Sequence, residues 1–287
     1  AYVTRASELG PNPGAFDNSS LLVKIVALRD EMATLLGFET YADYALEGRM
    51  ASSADEVSEF LQNLADCSRK PALEELRVLH EFASLEYGQE DLKAWDIAFY
   101  SEKLKQSCFD FNDEEIRPYF PLPKVLDGLF FITEKLFGIK IRKSPGESLW
   151  HEDVQFFELL NSDQSIRGCF YLDLYARPHK RGGAWMSDCV GRRRLSDDAI
   201  QKPAAMLTCN FTPPVGGHPS LLTHDDVVTL FHEFGHGLHH LLTQVDESSV
   251  AGINGVPWDA VELPSQFLEN WCWEAEALNK ISGHFET

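Results

Sequence analysis

The sequence predicts a mainly α-helical chain that also carries a small antiparallel β-sheet. Apolar residues recur at helical spacing through the first half of the 287 residues. Runs of strand composition begin shortly after residue 150, and a second helical pattern follows them. With 44% hydrophobic residues, the chain can bury a substantial core as one or two units.

The first half is predicted to be a helical scaffold, covering residues 1–149. Residues 1–17 are rich in Gly and Pro and predict an extended arm. Asn18 or Ser19 is expected to cap a helix that ends at Leu36, before Gly37. The periodicity predicts further helices over residues 41–47, 55–66, 72–87, 95–106 and 124–137.

The second half, residues 150–287, is predicted to combine the sheet with further helices. Residues 154–160 and 168–175 have strand composition, and the polar segment 161–165 between them is typical of a hairpin loop. A third strand is expected at residues 205–211. A loop rich in Pro and Gly then leads to a helix that contains several histidines.

That helix carries the sequence His-Glu-Phe-Gly-His at residues 232–236. Positions i and i+4 lie about 40° apart around a helix axis, so the imidazoles of His232 and His236 can reach one metal ion. Glu233 lies about 100° around the axis from His232, where a general base for a metal-bound water belongs. The spacing therefore predicts a zinc site, with a buried helix whose histidines only form hydrogen bonds as the alternative.

The neighbouring residues support a helix around this motif. Thr223 and Asp226 have the spacing of a capping box, which predicts that the helix begins near His224. Apolar residues follow at helical spacing on the face away from the motif histidines: Val227, Leu230, Phe234, Leu238 and Leu241.

A catalytic zinc site with two histidines needs a third protein ligand and an open position for water. Residues 258–271 predict a second helix, and Pro264 in its first turn places Glu262 near the N-terminus. Glu262 is the preferred third ligand, but spacing alone leaves Glu269 and Asp259 open. Glu269 could instead orient a ligand imidazole through a hydrogen bond.

The other histidines near the motif are weaker candidates. His239 shares the face of His232 but lies about 10 Å further along the axis, so it is expected to support a ligand or to line the cleft. His218 and His224 could also line the cleft, whereas His240 points off the motif face and is expected to be structural or exposed.

Several segments resemble the thimet oligopeptidase family of zinc metallopeptidases. They are HEFGHGLHHLL at 232–242, GVPWDAVELPSQFLENWCWE at 255–274, TRASELGPNPGAFDN at 4–18, WDIAFY at 95–100, FYLDLY at 170–175 and KRGGAWM at 180–186. The resemblance implies a zincin-type catalytic core and one Zn²⁺ per chain, held by His232, His236 and Glu262. It also implies that Glu233 is the general base on a zinc-bound water, and that the substrates are short peptides cut at internal bonds.

The sequence differs from this family in extent. The resemblance implies a longer chain, in which a Tyr and a His beyond the ligand helix contact the substrate and stabilise the oxyanion. Because the sequence begins at Ala1 and ends at Thr287, we expect a fragment that retains the metal site and has weak or absent turnover. A metal-binding or peptide-binding fragment without turnover is the alternative, and a different zincin such as a processing protease is a second one.

The amino-acid composition limits the kinds of partner and the cellular location that are expected for the protein. A net charge of −20 argues against nucleic acid as a ligand, and no apolar run is long enough to span a membrane. Six cysteines without a C-x-x-C pair predict reduced thiols in a cytoplasmic protein, although an organellar location stays open. The protein is also expected to be monomeric. Arg192, Arg193 and Arg194 form the main basic cluster, for which a solvated loop is preferred over an anion site.

Overall fold

The computed structural model describes residues 18–109, 113–146 and 149–287. The extended arm predicted for residues 1–17 lies outside the described residues. The chain forms two compact units, Ala1–Asn112 and Asp113–Thr287. The predicted division at residues 149 and 150, between a helical scaffold and a partial catalytic domain of sheet and zinc-binding helices, stays a prediction. The compact units divide earlier because helix 122–137 packs with the sheet of the second unit.

The described part of the first unit is helical. Its helices are α1 (Ser19–Leu35), α2 (Tyr41–Leu46), α3 (Ala54–Tyr87) and α4 (Ile97–Phe109). The two helices predicted over residues 55–66 and 72–87 are one continuous helix, α3, with Pro71 inside it. Proline removes one backbone hydrogen bond and disfavours a helix interior, but here regular turns continue on both sides of it.

The second unit begins with two helices and a sheet. The helices are α5 (Asp113–Ile116) and α6 (Leu122–Phe137). The strands are β1 (Lys140–Ser144), β2 (Gln155–Leu160), β3 (Ile166–Tyr175), β4 (Trp185–Val190), β5 (Arg193–Arg194), β6 (Ile200–Gln201) and β7 (Ala204–Phe211). Three helices follow, α7 (His224–Leu241), α8 (Leu263–Glu269) and α9 (Ala275–Ile281).

The main sheet is mixed, so the prediction of a purely antiparallel sheet is wrong. Its strand order is β1-β2-β3-β7-β4, and β7 runs parallel to β3 while the other neighbours are antiparallel. A parallel pair needs a connection of about a dozen residues or more, and the segment 176–203 between β3 and β7 supplies it. The hairpin predicted between β2 and β3 is confirmed, with Phe157 opposite Phe170.

One hydrophobic core joins the sheet to α6 and α7. Phe157 and Phe170 stack at a centroid distance of 5.2 Å, and Phe130 of α6 packs edge-on against both rings. Phe234 of α7 contacts the rings of Phe130 and Phe170 and completes this aromatic cluster. The apolar face predicted for α7 is confirmed, since all five of its residues are buried. Within the described ranges, no helix is long and apolar enough to span a bilayer.

A buried ion cluster holds the segment that connects β3 to β4. Asp173 is 5% exposed and accepts hydrogen bonds from Arg177 at 2.6 and 2.7 Å, from Lys180 at 2.8 Å and from the Trp150 indole at 3.0 Å. Lys180 also donates to the carbonyl oxygens of Tyr175 and Cys209. Burial acts to raise the pKa of Asp173, but these hydrogen bonds outweigh it and hold the pKa well below its usual range.

We expect Asp173→Asn to lower the free energy of unfolding at pH 7 by about 3–5 kcal/mol, because it leaves Lys180 buried without a countercharge. A carboxylate whose pKa is depressed in the folded state stabilises that state above its unfolded pKa, about 3.9 for Asp. This contribution is lost as the pH falls through the folded pKa, so the difference between variant and parent should shrink below about pH 4.

Urea unfolding at a series of pH values measures this difference. Asp188→Asn is the matched control, because Asp188 is an exposed carboxylate in the same sheet and no ion pair is formed by it within the described ranges. Equal urea midpoints for both variants at pH 7 would contradict the proposed contribution of the cluster.

Candidate metal centre

Helix α7 begins where the sequence predicts. Thr223 and Asp226 form a capping box, in which each side chain accepts a hydrogen bond from the backbone N–H of the other residue, at 3.0 and 2.9 Å. His232 and His236 then lie one turn apart on the same face, with ring centroids 4.9 Å apart. The cap and the buried apolar face fix this helix without using the histidines.

The carboxylate of Glu262 lies between the two imidazoles. Its Oε2 is 3.2 Å from His232 Nε2 and 3.1 Å from His236 Nε2. Within the described ranges, these three side chains form the one group of His, Cys, Asp or Glu found able to hold a metal ion, with ligand atoms within 4.8 Å of one another. Asp259, which spacing left open, is outside this group.

The backbone around Glu262 differs from the prediction of one helix over residues 258–271. A 3₁₀ turn at Trp258–Ala260 precedes α8, and a second at Asn270–Cys272 follows it. Glu262 is the N-cap residue of α8, with Pro264 in the first turn.

Ser265 holds the Glu262 carboxylate. It is fully buried, and its hydroxyl oxygen lies 2.9 Å from Glu262 Oε2 and 2.8 Å from the Glu262 carbonyl oxygen. The hydroxyl donates to one acceptor at a time or shares its proton between them. The residue follows Glu262 by three positions, which is the spacing that a short helical turn brings together.

Glu269 contacts His232 from the opposite side of the ring. Its Oε1 lies 2.6 Å from Nδ1 of His232. A carboxylate at this position favours the tautomer with the proton on Nδ1, which leaves the lone pair of Nε2 directed at the Glu262 side. Glu269 therefore lies where it can orient an imidazole ligand, and it is not part of the three-residue group.

Glu233 lies beside this group and is 6% exposed. Burial raises the pKa of Glu233, the charge of Glu262 adds to this effect, and His232 and a backbone hydrogen bond from Met186 oppose it. Met186 belongs to β4, an edge strand of the main sheet. The Glu233 carboxyl group is thus placed between the motif histidines and the sheet edge, with a raised affinity for a proton.

The remaining histidines occupy different environments. His240 is fully buried, and its Nε2 lies 2.9 Å from the Val190 carbonyl oxygen, so the structural alternative holds for it. His224 contacts the Cys272 carbonyl oxygen, and the exposed His218 packs edge-on against Phe285. His239 lines an apolar cavity of about 1100 Å³ between α7 and α8, and its buried Nδ1 has no hydrogen-bond partner among the described residues.

The donor set fits zinc. Two imidazole nitrogens and one carboxylate oxygen are ligands that zinc prefers, and each would lie about 2.0–2.2 Å from the ion. Two such ligands at a tetrahedral angle lie roughly 3.3 Å apart, close to the 3.1 and 3.2 Å found here. Burial also lowers the pKa of His236, which favours the neutral imidazole that binds metal.

Gly235, whose role the sequence analysis missed, permits the close approach of α7 and α8. A Cβ atom at this position would lie 2.6 Å from the Pro264 carbonyl oxygen and 2.6 Å from the Ser265 Cα atom. A glycine in the interior of an otherwise strong helix is the feature that indicates such a contact. This contact brings Glu262 within reach of both imidazoles.

The chain is similar to known peptidases. The family model described as Peptidase family M3 matches residues 1–287. Oligopeptidase A of Salmonella typhimurium and that of Haemophilus influenzae are each 56% identical to it over 287 residues. The organellar oligopeptidase A of Arabidopsis thaliana is 44% identical over 294 residues. These matches cover 100% of the chain but 42%, 42% and 36% of the three relatives.

We expect Gly235→Ala to lower the free energy of unfolding by about 2 kcal/mol. Overpacking against backbone atoms costs about 3 kcal/mol, and the better helix propensity of alanine recovers about 1 kcal/mol. Gly237→Ala is the matched control, because the atoms nearest to its Cβ would belong to the Leu207 side chain, at 3.1 Å and beyond, and not to backbone. Thermal unfolding of both variants tests the contact, and a Gly235→Ala protein as stable as the Gly237→Ala protein would refute it.

Proposed function

The chain belongs to peptidase family M3, and on this basis we propose that it carries the metal centre of a zinc metallopeptidase that hydrolyses internal bonds of short peptides. Its membership also confirms the family resemblance in the sequence. The observation that carries the proposal is the convergence of His232, His236 and Glu262 with the Glu233 carboxyl group beside them. The zincin-type core is part of the same proposal.

In this proposal, His232, His236 and Glu262 hold one Zn²⁺ per chain, and Glu269 fixes the orientation of His232. Bound zinc supplies Lewis acidity, which polarises the scissile carbonyl and lowers the pKa of water at the site. Glu233 accepts a proton from the attacking water and returns it to the leaving amine. The raised pKa of its buried carboxyl group suits a residue that must hold this proton between the two steps.

The edge strand β4 is proposed to bind the peptide backbone. It pairs with β7 on one side, and its other side pairs with no strand in the described part of the chain. An extended peptide can add to such an edge through main-chain hydrogen bonds. Because Met186 of β4 contacts Glu233, a peptide along this edge would run past the carboxyl group that handles the proton.

The relatives named oligopeptidase A support short peptides as substrates, and the chain spans 42% of the length of two of them. We propose weak turnover for these 287 residues alone, because the family resemblance places a substrate-contacting Tyr and His outside them. Metal or peptide binding without turnover is the alternative. We also propose a monomer in the cytoplasm, since one chain supplies every residue of the centre and all six cysteines are free.

Zinc binding tests the metal centre without depending on catalysis. We expect one Zn²⁺ per chain, with His236→Ala and Glu262→Gln each abolishing stoichiometric binding. Glu269→Gln should weaken the affinity by about 10–100-fold, because it removes only the partner of a ligand. Competition with a chelating dye measures these affinities. His218→Ala is the control, because His218 is exposed and outside the ligand group, and an equal loss in this variant would contradict the assignment.

Cleavage of a short internally quenched peptide tests the role of Glu233. We expect Glu233→Gln to retain one zinc and to lower the residual turnover by about 10²–10⁴-fold, the usual contribution of a general base. Turnover that survives unchanged in this variant would refute the role of Glu233. Absence of cleavage by the parent chain, with peptide still bound, would favour the alternative without turnover.

A further inference from the structure

A polar cavity of about 300 Å³ lies near the C-terminal end of α7, apart from the metal centre. It is lined by Asn161, Arg167, Arg192, Lys202 and Gln244. Three of these side chains are cations, two are amides, and none is a carboxylate. Such a lining is unusual in a chain with a net charge of −20.

The two guanidinium groups are held in place by their neighbours. Arg167 donates to the Asn161 side-chain oxygen at 3.2 Å and to the Leu242 carbonyl oxygen at 2.6 Å. Arg192 donates through Nε to Asp246 at 2.8 Å, and its side chain is only 16% exposed. Arg193 and Arg194 are exposed, as the preferred interpretation expects, whereas Arg192 lines the cavity, and its terminal nitrogens form no hydrogen bond or ion pair within the described ranges.

The positive charge of the cavity is not balanced by the residues around it. Among the residues that the structure describes, Asp246 is the one carboxylate that forms an ion pair with a lining cation, and it also binds Arg194, which does not line the cavity. Lys202 and Gln244 form no hydrogen bond or ion pair within the described ranges. Burial lowers the pKa of Arg167, and the nearby charge of Arg192 lowers it further, as expected for like charges that face each other.

We infer that this cavity is a binding site for a phosphate group, either inorganic phosphate or the phosphate of a small metabolite. Guanidinium groups bind tetrahedral oxyanions through paired N–H donors, and the Lys202 ammonium adds a third cation. The volume is about ten times the share of one water in the liquid, enough for a phosphate with a small substituent.

The site is separate from the metal centre. Leu242, whose carbonyl oxygen accepts from Arg167, follows His236 by six residues, which corresponds to about 9 Å along a helix axis. None of His232, His236 and Glu262 lines the cavity. Phosphate binding is therefore expected to persist when the metal ligands are changed.

Calorimetric titration of the zinc-loaded chain with sodium phosphate tests this site, with sodium chloride at equal ionic strength as the blank. We expect one saturable site per chain. Lys202→Gln should weaken the affinity about tenfold, the equivalent of one charge-assisted hydrogen bond. Arg193→Gln is the matched control, because Arg193 is exposed, follows Arg192 directly and does not line the cavity, and its affinity should change less than about twofold.

The same titration of a zinc-free His236→Ala chain distinguishes phosphate bound in the cavity from phosphate bound to the metal. Retained affinity in this variant supports the cavity, and lost affinity overturns the inference. Absence of saturable binding, or an equal loss in Lys202→Gln and Arg193→Gln, would also overturn it. Titration with glycerol phosphate distinguishes the two sources of the phosphate group. An affinity for glycerol phosphate similar to that for inorganic phosphate indicates the phosphate of a metabolite. Binding of inorganic phosphate alone indicates the free ion.

Discussion

The backbone contact between α7 and α8 is the constraint on which the candidate metal centre depends. The two motif histidines are on α7, but the carboxylate between them comes from the N-terminus of α8. The helices approach closely because Gly235 presents no side chain to Pro264 and Ser265. Ser265, buried in the same contact, holds the carboxylate. A single absent Cβ therefore determines whether three donor atoms from two helices can converge.

The sequence predicts the parts of this arrangement that depend on local interactions. The capping box at Thr223 and the apolar face of α7 are local patterns, and both are present in the structure. The β2–β3 hairpin was predictable for the same reason. By contrast, β1 and β4 lack a clear alternation of apolar residues, because β1 is mostly exposed and β4 lies at an edge. The parallel pairing of β3 with β7 depends on a distant segment, which no local pattern specifies.

The second helix shows why spacing could not choose the carboxylate between the imidazoles. Glu262 and Glu269 lie seven residues apart in one short helical segment, because the two 3₁₀ turns lie before Glu262 and after Glu269. Both carboxylates reach His232, and they approach it from its two nitrogens instead of competing for one position. The polar cavity could not be predicted from the basic cluster alone, because Arg167 and Lys202 join Arg192 only through the fold.

The side of β4 away from β7 pairs with no strand among the described residues, and this has a consequence for association between copies of the chain. An edge that accepts a peptide also offers its backbone groups to the same edge of a second molecule, and such pairing leads to aggregation. Two features of β4 oppose it. Its register with β7 shifts between Asp188 and Val190, which bends the strand, and Asp188 is an exposed charge on it. In pairing with β4 of another copy, this bend would interrupt the hydrogen bonds and the two Asp188 carboxylates would repel each other. A short peptide could still pair with the β4 residues that precede Asp188.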